Sequence, residues 1–305
     1  MAEHRDRTRV TRRRHRRGRL AAVAVAAGMA LGLLPSCGGN QVHAPVISVV
    51  TSIYPLAQAV SAIGGATVSV VDLAMPGVDP RTQTLTAAQA GQIQRAAVVF
   101  DVGAGFQPSV EQAIGPAPSV VALAPRFGPA AAGAWLDPVL MGRVAPVIAK
   151  ALAAANPAAA SEYSTGEQDF SEQMASSGID YQSDLGDCAK HDVAAPDGTL
   201  SALASQYRLT LHPLGTSPSP TDEESTTAAT TVASAGITTV FSEPWVPNAT
   251  VRAAAKQTGA KVRALDTLEA PPKGGWPRGS TYLSLLATNL AALTSALVCQ
   301  TNTGQ

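Results

Sequence analysis

Residues 46–73 read VISVVTSIYPLAQAVSAIGGATVSVVDL, and this stretch decides the fold class. Residues 46–52 form a run rich in β-branched side chains and bounded by turn residues, which predicts a buried strand. Residues 56–63 place apolar side chains three and four positions apart, which predicts a helix, and Gly64-Gly65 ends it. Residues 68–73 predict a second strand. A strand, a helix and a strand in this order are typical of a parallel β-α-β unit.

The same alternation continues along the rest of the chain. Further strands are predicted at residues 97–102, 120–123, 209–214, 238–241 and 262–265, and helices at 87–95, 110–114, 200–207, 223–235, 249–258 and 281–298. Asp137-Pro138 suits the start of another helix, which Asn156-Pro157 ends. Residues 158–187 are helical by composition, with a break predicted at 176–178.

The predicted fold class is therefore α/β, with two lobes built on parallel-type sheets and joined by a long connecting helix. The N-terminal lobe spans residues 46–155, the connecting helix 156–187 and the C-terminal lobe 188–305. Ligands of such sheets bind outside the carboxyl ends of the strands.

The N-terminus has the pattern of a secretory leader. Nine arginines precede an apolar run at residues 20–34, which is too short to span a hydrocarbon core that needs about 20 residues. The run ends in Leu34-Pro35-Ser36-Cys37, which resembles a lipobox. We therefore expect a signal peptide at 1–36, a lipid on Cys37 and a tether at 37–45. The alternative is an ordinary signal peptide cut nearby, and both interpretations place the protein outside the cytoplasm.

Charge and cysteine content narrow the function classes further. The leader holds nine of the 22 basic residues but only Glu3 and Asp6 of the 22 acidic ones, so the remaining chain carries about −7. An acidic chain is not expected to bind nucleic acid or to be held electrostatically on anionic lipid. Cys188 and Cys299 remain after the leader; in an oxidising compartment they pair, with a gain of about 4 kcal/mol, or stay as buried thiols.

Six segments in order resemble the solute-binding lipoproteins of zinc and manganese ABC transporters, the ZnuA/TroA-like family. They are residues 51–56 (TSIYPL), 76–80 (PGVDP) with Thr86, 135–138 (WLDP), 241–244 (FSEP), 258–269 (TGAKVRALDTLE) and 282–290. The resemblance covers nearly all of the mature chain. It implies the TroA-like fold, a ligand between the lobes and an ABC permease in the membrane as the partner.

The resemblance also implies metal ligands, and this chain has lost most of them. The family binds metal through histidines and carboxylates, which suit zinc and manganese. Its three histidine positions fall on Arg81, Gly133 and Asp197, and its final Asp matches Asp266. Arginine has no lone pair to donate, so we do not expect zinc or manganese at this site, although Asp197 and Asp266 still offer oxygen ligands to a hard cation.

Two hypotheses follow for the cleft. In the first, Arg81 lies between Asp197 and Asp266 and replaces the metal. In the second, Arg81 grips a carboxylate or phosphate of another ligand, with Trp135 and Glu243 as further candidates for the cleft. In a different register of the alignment, His191-Asp192 supplies the third ligand motif.

Other function classes find little support. A hydrolase would need a nucleophile with a base, and there is no Gly-x-Ser-x-Gly segment. We therefore predict a non-enzymatic, extracytoplasmic solute-binding lipoprotein with a degenerate metal site. The alternative is an accessory or interaction lipoprotein on the same fold, which binds a non-metal ligand or a protein partner.

Overall fold

The computed structural model describes residues 44–115 and 119–300. The predicted leader and Cys37 lie outside these residues. Within the described residues, eight strands form two sheets, and ten α-helices surround them. The strands are β1 (Ile47–Thr51), β2 (Val68–Asp72), β3 (Val98–Asp101), β4 (Val120–Ala122), β5 (Asp192–Ala195), β6 (Thr210–Pro213), β7 (Thr239–Ser242) and β8 (Lys261–Ala264). The helices are α1 (Tyr54–Gly64), α2 (Ala87–Arg95), α3 (Pro108–Ile114), α4 (Ala124–Phe127), α5 (Pro138–Ala155), α6 (Ala160–Leu185), α7 (Ser201–Gln206), α8 (Asp222–Ser234), α9 (Ala249–Thr258) and α10 (Tyr282–Leu297).

Both sheets are parallel and have equivalent strand orders. The first is ordered β2-β1-β3-β4 and the second β6-β5-β7-β8. We call the parts of the chain built on these sheets lobe 1 and lobe 2, and α6 connects them. In each sheet the direction of the chain order reverses between the two central strands, β1 and β3 or β5 and β7. A crevice forms there at the carboxyl ends of the strands, where parallel sheets bind ligands. The α/β, two-lobe prediction is confirmed.

Local sequence explains where the helices begin. Thr86 and Thr221 close capping boxes with Gln89 and Glu224, and the Asp137 carboxylate accepts a hydrogen bond from the Val139 amide. The buried side chains of α1, α5, α6 and α10 join one apolar core that contains residues of both sheets, such as Val49 and Phe241. The lobes therefore share a core. Helix α5 is long and apolar enough to cross a membrane, but one of its faces packs into this core.

Two expectations were wrong. Strand β5 was not predicted, because its four residues, DVAA, lack the β-branched run that marks most of the other strands. The break predicted at residues 176–178 is absent, since α6 is continuous. Its Gly178 lies against α5, where an added Cβ would come within 3.0 Å of Val139 Cγ2. Close packing against α5 thus outweighs the low helix propensity of Ser176, Ser177 and Gly178.

Candidate functional site

The residues of the candidate site follow strands of both sheets at their carboxyl ends. Arg81 lies in the loop after β2. From lobe 2, Asp197 follows β5, Glu243 follows β7, and Glu269 lies in the segment after β8. The site is therefore built between the lobes, in the position expected for parallel sheets.

The guanidinium of Arg81 connects carboxylates of both lobes. Its Nε lies 3.2 Å from Asp79 Oδ1, its Nη1 2.7 Å from Asp197 Oδ2 and its Nη2 3.2 Å from Glu269 Oε2. Nη1 also donates to Thr199 Oγ1 at 3.3 Å. Three sides of one planar cation are thus engaged, one by lobe 1 and two by lobe 2.

The loop that carries Arg81 is fixed by its own side chains. Asp79 Oδ1 accepts a hydrogen bond from the Arg81 amide at 2.9 Å, an Asx turn. Buried Gln83 donates to the Leu73 carbonyl at 2.6 Å and accepts from the Met75 amide at 3.1 Å. These bonds hold the backbone on both sides of Arg81, so its side chain enters the cleft from a defined position.

The cluster contains more carboxylates than cations, and two of its carboxylates are buried. Around the single guanidinium stand four carboxylates, of which Glu269 and Glu243 are 0% and 2% exposed. Burial raises the pKa of Glu243 to about 8, and the neighbouring Asp197 adds to this effect. Burial also raises the pKa of Glu269 to about 8, although Arg81 opposes the shift. Burial opposes the charge on Arg81, but the carboxylates of Glu269, Asp79 and Asp197 raise its pKa, and it stays protonated.

Glu243 has no hydrogen-bond partner for either carboxylate oxygen within the described part of the chain. Its backbone is well held, since the amide donates to Asn248 Oδ1 at 3.1 Å and the carbonyl accepts from Asn248 Nδ2 at 2.7 Å. A buried carboxylate without partners is costly in its charged form. Glu243 therefore fits this structure best as a neutral carboxylic acid.

The structure places Asp197 against Arg81, as the first hypothesis expects, but it does not place Asp266 there. Asp266 makes no ion pair among the described residues, because its oxygens accept hydrogen bonds from Trp276 Nε1 at 2.6 Å and from the Leu268 amide at 2.8 Å. Glu269, three residues further on, pairs with Arg81 instead. Sequence reasoning missed Glu269 and Asp79 as members of the cluster. Glu269 lies three residues after Asp266, and Asp79 lies two residues before Arg81. This closeness was the only sequence signal for their place in the cluster.

Trp135 does not line the cleft. It is 1% exposed, and its Nε1 donates to the Thr267 carbonyl at 2.7 Å. Its ring meets Phe106 edge-on with the centroids 5.4 Å apart. Trp135 is therefore a core residue. It connects the segment before α5 in lobe 1 to the segment after β8 in lobe 2.

Gly133 is closed to any side chain. Its φ is +86°, and an ideal Cβ there would lie 2.0 Å from the carbonyl oxygen of Thr199. The backbones of the two lobes touch at this point. A histidine at position 133 would need this contact to open.

The alternative register for the third ligand places its histidine away from the cleft. His191 is exposed and precedes β5, so it lies at the amino end of a strand whose carboxyl end leads to Asp197. The next residue, Asp192, lies with Oδ1 2.7 Å from His212 Nε2 on the neighbouring strand. Neither residue reaches the Arg81 cluster.

The donor set does not fit a zinc or manganese ion as it stands. Within residues 44–115 and 119–300, no three His, Cys, Asp or Glu side chains are grouped so that they could hold a metal ion. The carboxylates that come together already share the guanidinium of Arg81, which cannot coordinate a cation.

A cavity of about 390 Å³ opens beside Arg81, between Phe106 and the loop at residues 103–105. Among the described residues that line it, Arg81 is the only charged one, but the N–H groups of Arg81 face protein carboxylates. An anionic ligand in this cavity would find those N–H groups already engaged, which disfavours the second hypothesis. A cavity of about 680 Å³ between α5 and α6 lies apart from the cluster.

Cys188 and Cys299 are joined by a disulfide in the structure. The bond lies just after α6 and just after α10, away from the Arg81 cluster. Backbone bonds flank it, from the Lys190 amide to the Leu297 carbonyl at 3.0 Å and from the Gln300 amide to the Asp187 carbonyl at 3.0 Å. The end of α10 is thereby fixed to the beginning of lobe 2.

Comparison with known proteins gives one family and a group of similar structures. The profile of the family described as "Zinc-uptake complex component A periplasmic" matches residues 49–296. A search of curated sequences gave no significant match.

The similar structures share the fold at low sequence identity. The metal-dependent lipoprotein YcdH of Bacillus subtilis is 21% identical, with 82% of this chain and 99% of that one covered at a TM-score of 0.72. The Zn(II)-bound ZnuA-like domain of Streptococcus pneumoniae AdcA is 19% identical, with 83% and 99% covered at 0.73. The laminin-binding protein Lmb of Streptococcus agalactiae, described as an adhesin with metal-transporting activity, is 24% identical, with 82% and 99% covered at 0.73.

Proposed function

Because this chain belongs to the family of the periplasmic zinc-uptake component A, we propose that it is the solute-binding lipoprotein of a metal-type ABC transporter whose inherited metal site has been replaced by an internal ion cluster. Members of this family are extracytoplasmic solute-binding proteins that work with ABC permeases, and they are not enzymes. The observation that carries the second half of the proposal is the position of Arg81. Its guanidinium donates hydrogen bonds to Asp79 and Asp197 and lies 3.2 Å from Glu269 Oε2, where a bound cation would otherwise balance these charges.

Two further features support the loss of metal binding. Gly133 cannot carry a ligand while it touches Thr199, and Asp266 is engaged by Trp276 and Leu268. Of the four inherited positions, only Asp197 therefore presents a metal-ligating side chain to the cluster, and Arg81 holds it. Glu243, as a neutral acid, adds no negative charge that would attract a divalent cation.

We expect the soluble form, residues 38–305, to bind neither Zn²⁺ nor Mn²⁺ stoichiometrically after treatment with chelator. Isothermal titration calorimetry and metal analysis of the untreated protein measure this. The comparison variant is Arg81→Ala, which leaves the cluster's carboxylates without their cation and should bind Mn²⁺ more tightly than the wild type, since oxygen ligands suit hard cations. Tight one-to-one binding by the wild type would refute the proposed replacement.

The anchor is a separate part of the proposal, and it rests on residues 34–37 of the sequence. We propose that Cys37 is lipidated after removal of residues 1–36 and holds the protein on the outer face of the cell membrane. Cys37→Ala should lose incorporation of labelled palmitate and leave the membrane fraction. Cys299→Ala is the matched control and should remain in the membrane fraction. Absence of labelling in the wild type would show that the signal peptide is of the ordinary kind, and unchanged labelling of Cys37→Ala would show that Cys37 is not the lipidated residue.

The accessory alternative makes a different prediction about partners. A solute-binding subunit should be recovered with an ABC permease after cross-linking in membranes, whether or not it carries metal. An interaction protein on the same fold should be recovered with another partner and without the permease. The cross-linking result therefore separates the two functions independently of the metal titration.

A further inference from the structure

A segment of lobe 2 crosses onto lobe 1 beside the cleft. Residues 270–280, here called the strap, leave lobe 2 after β8 and return to it as α10. At the start of this crossing, the Tyr54 amide of lobe 1 donates to the Glu269 carbonyl at 3.0 Å, and the Gly77 amide donates to the Pro271 carbonyl at 2.8 Å. Two backbone hydrogen bonds thus join the lobes along the strap.

Trp276 adds a side-chain connection in the middle of the strap. Its ring packs on the ring of Tyr54, with the centroids 4.4 Å apart and the planes inclined by 50°. Its Nε1 donates to Asp266 Oδ2 at 2.6 Å. The backbone of Asp266 is itself held by Asn289 of α10, through bonds of 3.0 Å and 2.6 Å. Trp276 therefore connects an aromatic residue of lobe 1 to a fixed carboxylate of lobe 2.

The strap packs closely on the loop that carries Arg81. Gly77 has a φ of +78°, and an added Cβ would lie 2.9 Å from Lys273 Cβ. Just before the strap, Leu268 has a φ of +58°, an unfavourable conformation for a residue with a branched side chain. The strap covers the loop from one side. The surrounding packing holds Leu268, just before the strap, in a strained backbone conformation.

We propose that the strap is a latch that keeps the lobes closed and that release of Trp276 from Tyr54 and Asp266 is the motion that opens the cleft. The latch is made of contacts within the chain, so it closes without a ligand. The strap adds the aromatic pair and two interlobe amides to the Arg81 cluster as contacts that hold the closed state. It is distinct from the proposed loss of metal binding, which depends on Arg81 and Gly133.

Amide hydrogen exchange resolved by NMR tests the latch directly. In Trp276→Ala we expect the Tyr54 and Gly77 amides to exchange at least about tenfold faster than in the wild type, because both bond the strap across the lobes. The amides inside β1, β7 and α6 should keep their protection. Trp276→Phe retains the ring contact but loses the bond to Asp266, so we expect a smaller acceleration.

The control is Arg278→Ala, which removes an exposed charge from the same segment and should leave the Tyr54 and Gly77 amides as in the wild type. If those two amides keep wild-type protection in both Trp276 variants, the strap is not a latch. Uniform acceleration throughout lobe 2 in Trp276→Phe would also overturn the proposal, since it would indicate general destabilisation. The metal titration is independent of either result, so the latch and the proposed function can fail separately.

Discussion

Arg81→Ala will lower the free energy of unfolding by about 3 kcal/mol or more. The variant removes the one cation that Asp79, Asp197 and Glu269 share, and Glu269 is fully buried. A buried ion cluster is tolerated only when every partner is present, and loss of the cation leaves negative charges from two lobes facing one another. Chemical denaturation of the soluble form, followed by circular dichroism, measures the change.

Two variants separate the cluster from a general effect of losing an arginine. Arg81→Lys keeps the charge but cannot form the planar fork, so we expect a loss smaller than that of Arg81→Ala. Arg252→Ala removes an exposed arginine of α9 and should change stability by less than about 0.5 kcal/mol. An Arg81→Ala unfolding curve that superimposes on the wild type would show that the cluster does not hold the lobes together.

Glu243→Gln should stabilise the protein at alkaline pH and have little effect at acid pH. The pKa of Glu243 rises from 4.5 to about 8 on folding, so the folded state holds its proton more tightly than the unfolded chain. The stability from this proton is fully present below about pH 4.5 and is lost as the pH rises to about 8. Glutamine is never charged, so the gain at pH 9 should reach about 5 kcal/mol.

The measurement is the free energy of unfolding of both proteins between pH 4 and pH 9. Glu162→Gln, an exposed position of α6, is the matched control, and its curve should follow that of the wild type. Glu269 contributes a decline over the same range in all three proteins, so the test is the difference between Glu243→Gln and the wild type. A difference that stays constant with pH would mean that Glu243 is charged in the folded protein.

Sequence pattern predicted the fold well because most strands here are short β-branched runs flanked by turns. Five of the eight strands in the described residues, β1 to β4 and β7, carry this signal, whereas β5, β6 and β8 contain one β-branched residue each. Strand β5 is paired on both sides, by β6 and β7, and needs no strong propensity of its own. The helix break at residues 176–178 failed for a related reason. Local preference at those residues is weak, and tertiary packing of α6 on α5 decides the outcome.

The candidate site was predictable only in part. That Arg81 meets Asp197 followed from the aligned positions, but the choice between Asp266 and Glu269 did not. That choice depends on Trp276, which lies ten residues beyond Asp266 and takes its carboxylate. A hydrogen bond of this kind has no periodicity and no spacing rule, so single-sequence reasoning cannot find it. The unpartnered carboxylate of Glu243 is likewise visible only once burial is known.

On the proposal that an internal ion cluster has replaced the metal site, the backbone contact at Gly133 sets the order in which substitutions could restore metal binding. A histidine introduced there first would place its Cβ 2.0 Å from the Thr199 carbonyl oxygen. It would destabilise the fold without providing a complete metal site in return. Thr199 is in turn held by Asp197 and Arg81, so the arginine must be lost first, at the cost expected above. Each of these substitutions is destabilising by itself. Selection that acts on one substitution at a time would therefore tend to retain the present site.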